Sequence, residues 1–172
     1  MSIVSEYIRR KRLKFALNEM PANAAILEIG SGEGWVKPVL TKYGCGNYTE
    51  LDLKPPADII GDIKQWRNLG LPASSFDVII AFEIVEHVDC IQECYDLLKP
   101  GGKLLITTPV PHADWIMLIL EYLGINQKRS SPHNHLVYLN RVKHQQKWVE
   151  VKVQYFLGIH QWAVITKDKD AI

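Results

Sequence analysis

Apolar residues recur along this chain at two periods, and the switches between them predict its elements. Residues 3–19 repeat at helical spacing: Val4, Ile8 and Phe15 form a stripe, Arg9 to Arg12 and Lys14 point elsewhere, and the helix is expected to stop before Pro21. The short apolar run 24–29 is broken by Gly30-Ser31-Gly32-Glu33-Gly34. Residues 35–43 read as a helix that accepts Pro38 only in its first turn. Strands are expected at 48–53, at 58–60 and at 76–82, the last carrying Val78-Ile79-Ile80 and reading as buried on both faces. Residues 84–98 read as a helix stopped by Lys99-Pro100-Gly101-Gly102, followed by a strand at 103–108. An apolar helix at 113–123 and a polar loop at 124–138 come next. Asn140 is placed to cap a short helix before two final strands at 148–156 and 160–166.

Strands that alternate with helices and end in a strand pair predict an α/β fold. The expected architecture is a doubly wound, Rossmann-like, mostly parallel sheet of about seven strands, with helices on both faces and the last two strands forming a β-hairpin. The whole chain, 1–172, reads as one domain: a basic amphipathic helix over 1–20 and a core over 21–166. In such a sheet the binding crevice opens at the carboxyl ends of the strands.

Composition narrows the setting. With 47% hydrophobic and 23% charged residues, the chain is neither disordered nor fibrous. Three cysteines make no paired framework, no basic-then-apolar leader opens the sequence, and no apolar run nears the ~20 residues of a membrane span, so a cytoplasmic protein is expected. Charge is unevenly spread: residues 1–20 carry a net +3, residues 21–121 a net −7 and residues 122–149 a net +5 with no acid at all. An acidic middle suits a cationic ligand, and basic flanks suit an anionic partner, although solvated faces of differing charge would give the same pattern.

The glycine run falls between a strand and a helix, where a nucleotide-type ligand needs backbone without side chains. Asp52 follows 22 residues after Gly30, at the end of the next strand, placed to accept hydrogen bonds from both ribose hydroxyls. Loop and acid alone suit NAD or another adenosine-bearing cofactor. The dinucleotide fingerprint, however, wants a third glycine at position 35, which is Trp35. The loop also offers no cation for a pyrophosphate; it adds Glu28 and Glu33, which suit a cofactor carrying positive charge.

These residues resemble a known family. Residues 26–34 look like the first motif of class I S-adenosylmethionine-dependent methyltransferases. Ser75-Phe76-Asp77-Val78-Ile79, Glu83-Ile84-Val85-Glu86-His87-Val88 and Leu98-Lys99-Pro100-Gly101-Gly102 resemble the later motifs of its small-molecule, type 11-like branch. The resemblance implies S-adenosylmethionine as cofactor. It implies that Gly30, Gly32 and Gly34 pass beside the methionine part, with Glu28 ordering the loop. Asp52 would hold the ribose, Asp62 and the backbone of Ile63 the adenine edge, and Phe82 would lie where the fourth strand's end lines the pocket. The nine residues between Asp52 and Asp62 include two prolines, so the family's usual third helix is expected to be missing. No insertion is present to cap the substrate, so the pocket is expected to be open, or completed by a partner protein or a second subunit.

Glu83, Glu86 and His87 stand at i, i+3 and i+4, and on the expected helix they would share one face beside the methyl-donor side of the crevice. His87, titratable near neutrality, is the natural base, with Glu86 beside it. The same E-x-x-E-H, followed by a distant histidine, is similar to the metal-binding arrangement of small-RNA 2′-O-methyltransferases and ubiquinone-pathway O-methyltransferases. That resemblance implies a divalent metal on Glu83, Glu86, His87 and either His133 or His135, acting as a Lewis acid. The Glu-His pair also occurs in metal-free members. Cys90 and Cys94 read as buried packing. The basic stretch from Lys128 to Lys147 could receive an anionic acceptor or RNA, and Arg9 to Lys14 could meet nucleic acid or an anionic membrane. The apolar run from Trp115 to Leu120, with Tyr122 and Leu123, could line an acceptor pocket or pack in the core. The expected activity is methyl transfer to oxygen or nitrogen of a small molecule. The alternatives are RNA 2′-O-methylation and a cofactor-binding partner subunit without turnover.

Overall fold

The computed structural model describes residues 3–123, 133–144 and 146–170. Seven strands form one sheet: β1 (Ala25–Ile29), β2 (Asn47–Asp52), β3 (Ile59–Ile60), β4 (Phe76–Phe82), β5 (Leu98–Pro109), β6 (Trp148–Phe156) and β7 (His160–Lys167), in the order β3-β2-β1-β4-β5-β7-β6. The first five run parallel, and β7 inserts antiparallel between β5 and β6. Parallel strands are covered on both faces, which is why β1 and β4 are apolar apart from Glu28 and Asp77. Chain order reverses between β1 and β4, so the loop leaving β1 opens into the crevice at the switch point.

Each face of the sheet has its own core. On one, Phe15 and Ala16 of α1 (Ile3–Glu19) and Leu40 of α2 (Lys37–Lys42) pack on Ile26, Val78, Ile80 and Trp162. On the other, Ile91, Cys94 and Leu97 of α3 (Ile91–Leu97) pack with Trp66 and Trp148 on Leu27, Ile79 and Ile106. Cys90 and Cys94 are fully buried there as packing. No helix lies between β2 and β3, as the two prolines predicted.

Two segments depart from the pattern. Residues 84–98 are not one helix: α3 begins only at Ile91, and residues 84–88 form a turn in which the N–H groups of His87 and Val88 both donate to the carbonyl of Ile84, at 2.9 and 3.1 Å. Glu83 itself is left-handed, with φ +59°. Glu83, Glu86 and His87 therefore do not share a helix face. The cause is tertiary: the N–H of Glu83 continues the β4–β5 ladder onto the carbonyl of Thr107 at 2.8 Å, and its carboxylate is held from outside the segment. The second departure is α4 (Asp114–Tyr122), whose described apolar side chains join neither core. Residues 124–132, with Lys128 and Arg129, lie outside the described part of the chain.

Candidate active site

Gly30, Gly32 and Gly34 all have positive φ, at 73°, 57° and 65°, where a β-carbon would cost about 1–2 kcal/mol each. Space matters at one of them: a Cβ on Gly30 would stand 1.9 Å from Cδ1 of Ile84, whose side chain lies over the loop. The N–H of Gly30 donates to the carbonyl of Leu51 at 2.8 Å, and that of Gly32 to Oδ2 of Asp52 at 2.9 Å. Asp52 thus joins the end of β2 to the glycine loop, and its Oδ1 also accepts from the N–H of Lys54 at 3.0 Å. Ser31, buried in the middle of the loop, leaves its hydroxyl oxygen without a partner.

Beneath this loop Glu28 is buried and accepts a hydrogen bond from the Tyr48 hydroxyl at 2.9 Å. Burial pushes its carboxyl up to about 7, Glu50 and Asp52 push the same way, and the Tyr48 bond opposes them. Asp62 is exposed, and its Oδ1 accepts from the N–H of Lys64 at 2.9 Å, capping the turn Ile63–Gln65, whose Ile63 side chain is buried. The ring of Phe82 faces the core, 6.5 Å from that of Phe15, so this residue can offer the crevice only its backbone.

At the ends of β4 and β5 two carboxylates are driven apart. Glu83 meets Nη2 of Arg12 at 2.6 Å, accepts from the Thr107 hydroxyl at 3.0 Å and stands 3.6 Å from Nδ1 of His160. Burial alone would raise its carboxyl, but Arg12 and His160 outweigh burial and bring it down to about 2. Glu86 is buried and goes the other way, raised well above the carboxylate range by burial first and by the charge of Glu83 second. One oxygen of Glu86 accepts from the Thr108 hydroxyl at 2.9 Å, and the other, Oε1, has no partner.

Glu86, His87 and His133 bring one donor atom each within 4.8 Å of one another, and the rings of His87 and His133 stand edge to face at 5.0 Å. His133 is fixed by Asp114, the first residue of α4, with Nδ1 to Oδ1 at 2.6 Å. Of the expected metal set, Glu83 is thus not in this cluster, because Arg12 holds its carboxylate. His135 is also outside it, with Nε2 3.7 Å from Asp89. The remaining three fit a borderline divalent ion by donor chemistry, and the open oxygen of Glu86 is free for one. Bonds of about 2.1 Å would require the donors to draw closer together.

Arg12, Thr107, Thr108, Asp114 and His160 were not legible as site residues. Adjacent threonines at a strand's carboxyl end were the one available signal. Arg12 looked like any other member of a basic run, yet α1 crosses the crevice: Arg9 lies 5.1 Å over the Trp35 ring and 3.8 Å from Glu33, on the glycine loop.

A sheet of this order, with a left-handed glycine loop after β1 and an acid ending β2, defines the class I S-adenosylmethionine-dependent methyltransferase fold. Residues 2–147 match the model of a methyltransferase-domain family, and the chain belongs to that family. It is 31% identical over 129 residues to the mitochondrial ubiquinone biosynthesis O-methyltransferase of Rattus norvegicus, covering 59% of this chain and 36% of the relative. It is 29% identical over 106 residues to the ubiquinone biosynthesis O-methyltransferase of Xanthomonas axonopodis pv. citri, covering 51% and 44%. The chain thus spans less than half the length of these curated relatives. Among solved structures, a SAM-dependent methyltransferase from Archaeoglobus fulgidus superposes with a TM-score of 0.69 at 16% identity, covering 94% of both chains. One from Mesorhizobium loti gives 0.65 at 15%, covering 91% of this chain and 96% of that one. At such identities these two show the fold alone.

Proposed function

We propose that this protein transfers a methyl group from S-adenosylmethionine to an oxygen of a small-molecule acceptor. The observation that carries the reading is the meeting of Glu86, His87 and His133 at the end of β4, next to the glycine loop. Gly30, Gly32 and Gly34 would give close backbone approach to the cofactor, and Asp52 would turn from the loop to the ribose hydroxyls. Glu28 would keep the loop's floor in place, Asp62 and the Ile63 backbone would border the adenine, and the end of β4 at Phe82 would close that side. The bound cofactor supplies a methyl already activated by its sulfonium, so the protein's work is alignment and removal of the acceptor's proton. His87, with Glu86 at its side, would take that proton. Glu83, neutralised by Arg12, would hold the turn 84–88 in place. The choice of oxygen over nitrogen rests on the relatives' names.

The test is formation of S-adenosylhomocysteine with a panel of phenols and catechols. Glu86→Gln and His87→Ala should each lower kcat by about 10²-fold or more, the range for a lost acid or base, with S-adenosylhomocysteine affinity unchanged. Unaltered kcat in both variants would refute these roles. A second reading, in which a divalent ion sits on Glu86, His87 and His133 and polarises the acceptor hydroxyl, is favoured by the unpartnered Oε1 of Glu86. Calorimetric titration of chelator-treated protein with Zn²⁺ or Mn²⁺ should then show one site that His133→Ala removes. A flat titration disposes of the metal and leaves the base reading standing.

A further inference from the structure

The described apolar side chains of α4 lie outside the two cores that hold the rest of the fold. Trp115, Leu118, Ile119 and Tyr122, followed by Leu123, are exposed to 61%, 50%, 48%, 89% and 61%. Their spacing, i, i+3, i+4, i+7 and i+8, puts them on one stripe, the pattern that normally faces a core. Contiguous exposed apolar surface of this kind marks a contact face.

Charge and residue type say what covers it. The stripe has tryptophan at its start and tyrosine near its end, side chains whose apolar body and polar tip suit a water–lipid boundary. The sequence from 122 to 149 carries five Lys or Arg and no acid. Arg141 of that stretch is exposed. Arg141 lies 5.3 Å over the Tyr138 ring, and the Tyr138 hydroxyl stands 3.1 Å from Nδ1 of His112, two residues before α4. A cation is therefore built against the base of the helix. The acid that opens α4, Asp114, is turned inward onto His133. Self-pairing through α4 would bring two such cationic flanks together, which opposes a second copy as the occupant. An anionic bilayer satisfies both the stripe and its flank. No described helix is long and apolar enough to cross a membrane, so α4 would lie in the plane of the surface.

We propose that the exposed stripe of α4, supported by the cation of Arg141 at its base, docks this protein onto an anionic lipid surface. Because Asp114 also fixes His133, docking would set the mouth of the crevice at that surface. The inference does not depend on the methyl-transfer reading, since it concerns binding alone.

Flotation of the full chain tests it, with vesicles of phosphatidylcholine containing phosphatidylglycerol beside vesicles of phosphatidylcholine alone. The protein should float with the anionic vesicles and stay behind with the neutral ones. Leu118→Ser combined with Ile119→Ser should weaken vesicle binding by about tenfold or more. Arg141→Glu should weaken it by about fivefold or more, the worth of one cation near such a surface. Melting temperature should hold in both of them, because these side chains are exposed. Failure to float, equal binding to neutral vesicles, or binding kept by the Leu118/Ile119 variant would each overturn the proposal. So would a sedimenting dimer that this variant dissolves, or a fall in its melting temperature, because the stripe would then be covered by a second copy or by the fold itself.

Discussion

Asp52 has one observed role and one proposed role, and a single substitution would confuse them. Its carboxylate accepts from the N–H of Gly32 at 2.9 Å and from the N–H of Lys54 at 3.0 Å, so it orders the glycine loop besides the ribose contact proposed for it. Asn keeps an oxygen for Gly32 but loses the charge, whereas Ala loses both. A hydrogen bond to a charged group contributes about 1.5–3 kcal/mol, so Asp52→Asn is expected to weaken S-adenosylhomocysteine binding by about 10- to 100-fold with little loss of thermal stability. Asp52→Ala should weaken binding at least as much and also lower the melting temperature. Calorimetry and thermal melts of the two variants together check this. If both bind as well as the wild type, Asp52 orders the loop and nothing more. Its place at a strand end after a glycine run made it readable from the sequence. Its bond to Gly32 was not, because that depends on how far β2 extends beside β1.

Between elements, the closest fit at the site is that of the β1 loop against the turn after β4. A β-carbon on Gly30 would strike Ile84 and would also sit at φ +73°. Left-handed strain contributes about 1–2 kcal/mol and overpacking about 1–3. Gly30→Ala is thus expected to destabilise the protein by about 2–5 kcal/mol. In an Ile84→Ala background the same change should cost only the backbone share, about 1–2 kcal/mol, and urea unfolding of the four proteins in a double-mutant cycle measures the difference. An equal cost in both backgrounds would show that the two segments are not in contact. The same contact explains what the sequence hid. The strands were legible because apolar runs and turn residues are local signals, and the glycine loop was legible because only glycine adopts three left-handed positions so cheaply. The turn at 84–88 was not, since Glu83, Glu86 and His87 have helical spacing. What prevents the helix is Arg12, which lies 71 residues before Glu83, together with Thr107 and the seat of Ile84 on Gly30. For α4 the helix is legible in the spacing of its apolar residues, but a periodicity reports that a stripe exists and not what it faces.

Across the whole molecule, two sets of carboxylates set opposite pH limits. Asp58 is held below its ordinary range by Lys37 and by the N–H of Glu50. At Asp77 burial pushes up, but Lys99 and the N–H of Ala25 overcome it and the carboxyl falls. Glu83 is brought down to about 2. These groups add stability above pH 4–4.5 that is lost as pH falls through their folded values. Glu28, pushed up to about 7 by burial, does the reverse. The folded state holds its proton where the unfolded chain releases it, so its contribution is full below 4.5 and disappears as pH rises through 7. Glu86 is raised by burial and by Glu83 and acts in the same direction. Stability should therefore peak near pH 5, where both sets contribute, and fall towards pH 8 by about 3 kcal/mol on account of Glu28 alone. Glu28→Gln keeps an acceptor for the Tyr48 hydroxyl but cannot ionise. Its urea midpoint should fall less between pH 5 and pH 8 than that of the wild type, moving the optimum upward. A wild-type midpoint that rises over that interval would mean that Glu28 is charged in the folded protein at both values, and that the floor of the glycine loop rests on an anion rather than on a shared proton.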